Sequence, residues 1–67
     1  MNINEIYKQL IAKEKAKYVI NSCENQDHIA AADKYIILYG AKFKDILGYY
    51  ELQRIKEDKY KKLINPQ

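Results

Sequence analysis

The sequence predicts an all-α fold: an antiparallel helical hairpin followed by a third helical segment. Three observations carry this expectation. Apolar residues recur at intervals of three and four through most of the chain, as they do on a helix face. No stretch alternates apolar and polar residues as a half-buried strand would. The strong breakers are few, Gly40, Gly48 and Pro66, and no linker or repeat separates the segments.

The first helix is expected over about residues 4–21. Asn4 reads as its N-cap, and Glu5 lies in the first turn, where the helix dipole favours negative charge. Its apolar residues form two groups. Ile3, Ile6, Tyr7, Leu10 and Ile11 share one face. Ala12, Ala16, Val19 and Cys23, spaced 4-3-4, share nearly the opposite face. One straight helix cannot turn both groups to a single core. Either the helix bends near Lys13–Lys15, or one group meets something outside the chain.

The turn 22-SCEN-25 follows, with Asn25 as the N-cap of a second helix and Asp27 in its first turn. Such a short turn makes the first two helices antiparallel neighbours. The second helix is expected over about 26–47. Along it runs a seam of Ile29, Ala32, Ile36, Tyr39, Phe43, Ile46 and Tyr50, in unbroken 3-4 alternation. This is a coiled-coil-like stripe, and self-association through it is expected. The seam keeps its phase through Gly40, which places that glycine inside the helix despite a cost of about 1 kcal/mol. A small residue there lets another helix approach closely.

The register fails after Tyr50, where Gln53 and Glu57 would fall on the seam. A shifted apolar set replaces it: Leu52, Ile55, Tyr60, Leu63 and Ile64. Gly48 is the expected break, and the third helix covers about 49–64. Glu57–Lys61 and Asp58–Lys62 are acid-before-base pairs at i,i+4 that support a solvated helix. Asn65-Pro66 is the stop.

With 67 residues the chain is one domain near the lower size limit for independent folding. A single cysteine cannot form a disulfide within the chain, so stability gained from a partner or a second copy is expected. The lone thiol fits a reducing compartment. The longest apolar run is about five residues, Tyr35–Tyr39, far short of a membrane span. The N-terminus lacks the basic-then-apolar layout of a secretory signal. A soluble cytoplasmic protein is expected, in the host cytoplasm if phage-encoded. Ile, Lys, Asn and Tyr supply 33 of the 67 residues, and all four have AT-rich codons. The seven tyrosines therefore reflect base composition in part, and their abundance alone carries no functional argument.

Chemistry could reside at 22-SCENQDHIAAADKY-35, which holds the only Cys and the only His. A structural zinc site needs four ligands, and Cys23 and His28 supply two. A thiol at a helix N-terminus beside a histidine could be a nucleophile. Yet no Gly-rich turn or oxyanion donor set accompanies the pair. The simpler reading is a packed helical corner, with Cys23 as a small apolar residue, Asn25 as the cap, and His28 reaching back toward the turn. No metal, cofactor or catalytic residue is assigned, and no enzymatic activity is expected.

Ser22, Cys23, Asn25, His28, Ile29, Ala32, Tyr35 and Ile36 form the pattern S-C-x-(T/N)-x-x-(Q/H)-(L/I)-x-x-A-x-x-(Y/M)-I. This resembles a pattern of small helical proteins from bacteriophages and AT-rich bacteria, over about 15 of the 67 residues. The resemblance implies a helix-turn-helix corner and a phage or mobile-element origin. It implies no activity and no catalytic residues. Asn25 and His28 stand where such proteins often carry Thr and Gln.

The functional expectation is a protein-interaction module, a regulator or inhibitor of phage type. Its candidate contact residues are Ile3, Tyr7 and Leu10 at one end and Tyr49, Tyr60 and Leu63 at the other, apolar groups left over from the hairpin. The first alternative is weak nucleic-acid binding through Lys13, Lys17, Arg54, Lys56, Lys59 and Lys62. Against it, the net charge is only +3, acids interleave the C-terminal cations, and one arginine leaves little base reading. The second alternative is an oligomeric scaffold that holds an anionic small ligand.

Overall fold

The computed structural model describes residues 2–65. Within them the chain forms α1 (Ile3–Asn21), α2 (Gln26–Phe43) and α3 (Ile46–Ile64), each packed against both others. The all-α expectation holds, and no strand occurs among the described residues. The helices run up, down and up. Gln9 meets Asp45 and Lys13 meets Glu51, so α1 and α3 point the same way. Each helix is about 28 Å long at about 1.5 Å per residue. The molecule is 44 Å along its long axis. The helices are therefore staggered, and α1 N-terminal to Gln9 runs on past the start of α3.

α1 begins earlier than Asn4 suggested. Asn2 is the N-cap, and its side chain accepts from the Glu5 N–H at 2.9 Å. The two asparagines are equal as residues, but Asn2-x-x-Glu5 has capping-box spacing, which places Glu5 in the third helical position. α1 is unbroken from Ile3 to Asn21, so no interruption near Lys13–Lys15 turns its two apolar groups to one side. Ala16 and Cys23 are buried, with Ala12 and Val19 packed against them, and Ile20 joins this face fully buried. The other group, from Ile3 to Ile11, stays in solvent.

α2 starts where Asn25 predicted, with the Asn25 side chain accepting from the His28 N–H at 2.9 Å. It ends at Phe43, not at residue 47. Lys44 takes the left-handed conformation, φ 53°, and Asp45 caps α3 through a bond from the Gly48 N–H to its Oδ1 at 3.0 Å. The break thus falls at Lys44–Asp45, and Gly48 lies buried inside the first turn of α3. Its small size serves the cap, since a Cβ there would collide with the Asp45 carboxylate. The seam's spacing continues through Phe43, Ile46 and Tyr50, but the left-handed residue at 44 redirects the chain between them. Ile46 and Tyr50 are consequently 69% and 65% exposed.

The rest of the seam is spent inside the chain. Ile29, Ala32, Ile36 and Tyr39 share the core with Ala16, Ile20, Cys23 and Leu52. Ile20, Ile36 and Leu52, one from each helix, are its largest fully buried side chains. Each is worth roughly 1.5–3 kcal/mol as removed apolar surface. Ile55, Tyr60 and Leu63 from the shifted α3 set pack against this core, while Ile64 is exposed. Gly40 is helical as expected, and α3 approaches it closely. A Cβ at Gly40 would lie 2.8 Å from Tyr49 Cδ2. Neither expected i,i+4 ion pair of α3 closes among the described residues, and Glu57 instead approaches Lys56 at 3.8 Å. Of the expected stop, Asn65 follows α3 and Pro66 lies outside the described residues.

Candidate functional site

The Cys23–His28 corner is built from backbone bonds. His28 Nδ1 accepts from the Glu24 N–H at 3.0 Å, while the His28 N–H donates to Asn25, a reciprocal arrangement close to a capping box. Cys23 is 4% exposed, and its thiol donates to the Val19 carbonyl at 3.4 Å. Burial pushes the thiol's pKa up, against a smaller opposing pull from the Lys59 charge. A raised pKa makes a poor thiolate nucleophile. Among the described residues no group of three or more His, Cys, Asp and Glu side chains is placed to hold a metal.

The lysines proposed for nucleic acid are partly neutralised. Lys13 and Lys17 both pair with Glu51, at 2.5 and 3.4 Å, and Lys17 also reaches Glu14 at 3.4 Å. Lys56 binds Asp33 at 2.7 Å, where Gln53 also donates, at 3.2 Å. These partners, Lys56 foremost, hold Asp33 below the ordinary carboxylate range, and Lys13 does the same for Glu51. Arg54 and Lys62 are exposed, and Lys59 is half-buried. The six cations therefore do not act as one free basic face.

The apolar candidates divide by burial. Tyr49 rests its ring on Gly40, and Tyr60 and Leu63 are half-buried against the core. Their apolar surface is largely used within the chain. On α1, Ile3, Tyr7 and Leu10 are 82%, 64% and 57% exposed, with Ile6 and Ile11 beside them also exposed. These five side chains occupy the outer side of the N-terminal half of α1, much of which projects past α3.

A second exposed apolar region was not foreseen. Ile37 of α2 and Ile46, Leu47 and Tyr50 of α3 are exposed near the turn that joins α2 to α3, at the same end of the bundle as the N-terminal half of α1. A groove of about 490 Å³ lies among Ile37, Gly40, Ala41, Ile46, Tyr49 and Tyr50, and Lys44 and Asp45 also line it. Its signal in the sequence is Asp45-x-x-Gly48, a cap spacing that would have moved the break to residue 45. Ile46 and Tyr50 would then have left the seam.

Comparison with protein-family models, curated proteins and solved structures returns no match. Among the described residues no helix is long and apolar enough to cross a membrane.

Proposed function

We propose that the chain is a small protein-interaction module that binds a protein partner through the outer face of α1, acting by contact rather than by catalysis. The observation that carries this reading is the exposure of Ile3, Ile6, Tyr7, Leu10 and Ile11 together on one helix face. Single exposed apolar residues are ordinary, but a contiguous cluster marks a contact surface. Tyr7 supplies the kind of aromatic anchor that dominates binding energy at such surfaces. Helical spacing of these residues suits a helix-against-helix contact.

The role of a phage-type regulator or inhibitor of a host protein rests on the resemblance at Ser22–Ile36, and the cytoplasmic location follows from that role. Association of two copies through the same face is the other form this contact could take. Nucleic-acid binding gains no support, because Lys13, Lys17 and Lys56 are engaged by acids of the same chain.

The test is a pull-down from nuclease-treated lysate, comparing the wild-type chain with the double substitution Tyr7→Ala and Leu10→Ala. A discrete protein retained by the wild type and lost with the variant is the expected result. Identical sets from both chains, or retention that disappears with nuclease, would sink the proposal.

A further inference from the structure

We infer that the outer face of α1 is covered by a second copy of this chain, packed antiparallel about a two-fold axis that passes between Leu10 and Ile11. The inference rests on the reading of that face as a contact surface and names its occupant.

The order of residues along the face singles out a second copy. Tyr7 precedes the fully buried Ala16 by nine positions, which at about 3.6 residues per turn puts the two on opposite sides of α1. The stripe centred on Tyr7 therefore points away from the core. It consists of Ile3, Tyr7, Leu10, Ile11, Glu14 and Tyr18, all exposed, on a helix unbroken from Ile3 to Asn21. Tyr18, at 75%, carries the apolar surface beyond the N-terminal half of the helix. The spacing of the six, 4-3-1-3-4, reads the same from either end. A two-fold axis across its midpoint brings Ile3 level with Tyr18 of the other copy, Leu10 with Ile11, and Tyr7 with Glu14. Each contact then occurs twice, as a self-complementary interface requires.

Charge sets the orientation, and area sets the scale. Glu14 is the one charged member of the stripe, and within its own chain it meets Lys17 at 3.4 Å on the surface. In the antiparallel pair the Tyr7 hydroxyl of the other copy reaches its level as a donor. A parallel pair would instead set Glu14 against Glu14, a like-charge contact. Lys8 and Lys15 are exposed at the edge of the stripe, where their ammonium groups reach water. At about 200 Å² for a large side chain, the five apolar members leave roughly 600 Å² in solvent. That matches the largest patch of an ordinary monomer and approaches the ~800 Å² per partner of a stable interface. The exposed Ile6 and the stems of the flanking lysines extend it further.

The experiment joins sedimentation equilibrium of the untagged full chain with intermolecular NOE spectroscopy on an equal mixture of isotope-labelled and unlabelled chains. A dimer is expected at high micromolar concentration, with contacts between Ile3 methyls and the Tyr18 ring. Within one helix these residues are about 22 Å apart, so such a contact joins two copies. Leu10→Glu should weaken the dimer about tenfold or more while helicity survives, because the site is exposed and glutamate suits a helix interior. Ile46→Glu, on the exposed corner beside the α2–α3 turn, should leave the dimer intact. Contacts of Ile3 with Ile3 or of Tyr18 with Tyr18 would overturn the inference. So would a dimer weakened by Ile46→Glu and not by Leu10→Glu. A chain that stays monomeric, yet retains a lysate protein that the Tyr7→Ala, Leu10→Ala variant loses, would overturn the second copy as occupant and leave the contact face standing.

Discussion

Tyr39 donates its hydroxyl to Asp45 Oδ2 at 2.8 Å, and through this bond a buried residue of α2 holds the residue that caps α3. Gln9 of α1 donates to the same oxygen at 3.0 Å, and the Gly48 N–H takes the other oxygen. One carboxylate thus ties all three helices at the corner where the chain reverses. Asp45→Ala removes a cap and leaves the Tyr39 hydroxyl without its partner. The expected loss is about 2–4 kcal/mol, a fall in Tm of roughly 10 °C or more. Thermal denaturation followed by circular dichroism measures it. An unchanged Tm would show that the corner does not depend on Asp45.

The same bond makes stability depend on pH at both extremes. The Gly48 N–H and then the Tyr39 hydroxyl hold Asp45 below its ordinary value of 3.8, and Asp33 and Glu51 are lowered as well. Each therefore adds stability that is present above its ordinary pKa and lost as pH falls through the depressed one. Burial, and then the hydrogen bond to Asp45 and its charge, raise Tyr39 from 10.0 to about 12. Its contribution is present below pH 10 and lost as pH rises toward 12. Urea midpoints measured across pH should fall at both ends, and Tyr39→Phe should flatten the alkaline limb. An alkaline limb identical in the variant would assign it to other groups.

Lys44 is the sole described non-glycine residue with positive φ. Its Cβ is strained in the left-handed region, and glycine there carries no such penalty. Lys44→Gly should raise stability by about 0.5–1 kcal/mol after allowing for the freer unfolded chain. Chemical denaturation decides it, and a loss of stability would mean that Lys44 makes a contact worth more than its strain.

Gly40→Ala sets helix propensity against packing. Alanine favours an isolated helix by about 1 kcal/mol. Its Cβ would nevertheless press to 2.8 Å from the Tyr49 ring. A net loss of about 1–2 kcal/mol is expected, the usual scale of overpacking. In a Tyr49→Ala background the same change should become stabilising. A double-mutant cycle reads the coupling directly, and additive effects would mean that the ring moves aside without cost.

How much of this was legible in the sequence follows from how local each cause is. Asn25 and His28 announced their corner because a cap is made by residues three apart. Gly40 showed itself by keeping the seam in phase. Ile20 was passed over because the 4-3-4 row beside it already described a face, and only the third helix shows how wide that face is. The end of α2 was misplaced because a single left-handed lysine leaves no mark on periodicity, and the 3-4 spacing happens to bridge it. Gly48 attracted the break that belongs to Lys44–Asp45. The ion pairs of Lys13 and Lys56 join helices far apart in sequence, so the lysines looked freer than they are. The exposure of Ile3, Tyr7 and Leu10 was legible as a conflict between two faces of α1, and the core resolved it in favour of Ala16 and Cys23.

The central claim is that the Ile3–Ile11 face lies outside the core and is free for contact. Its most direct test is the stability of the Tyr7→Ala, Leu10→Ala double variant in urea, read by helical circular dichroism. Exposed positions predict a helical content equal to the wild type and a stability within about 0.5 kcal/mol per substitution. A loss of several kcal/mol, or of cooperative unfolding, would place these side chains in the core and remove the surface on which the proposed function rests.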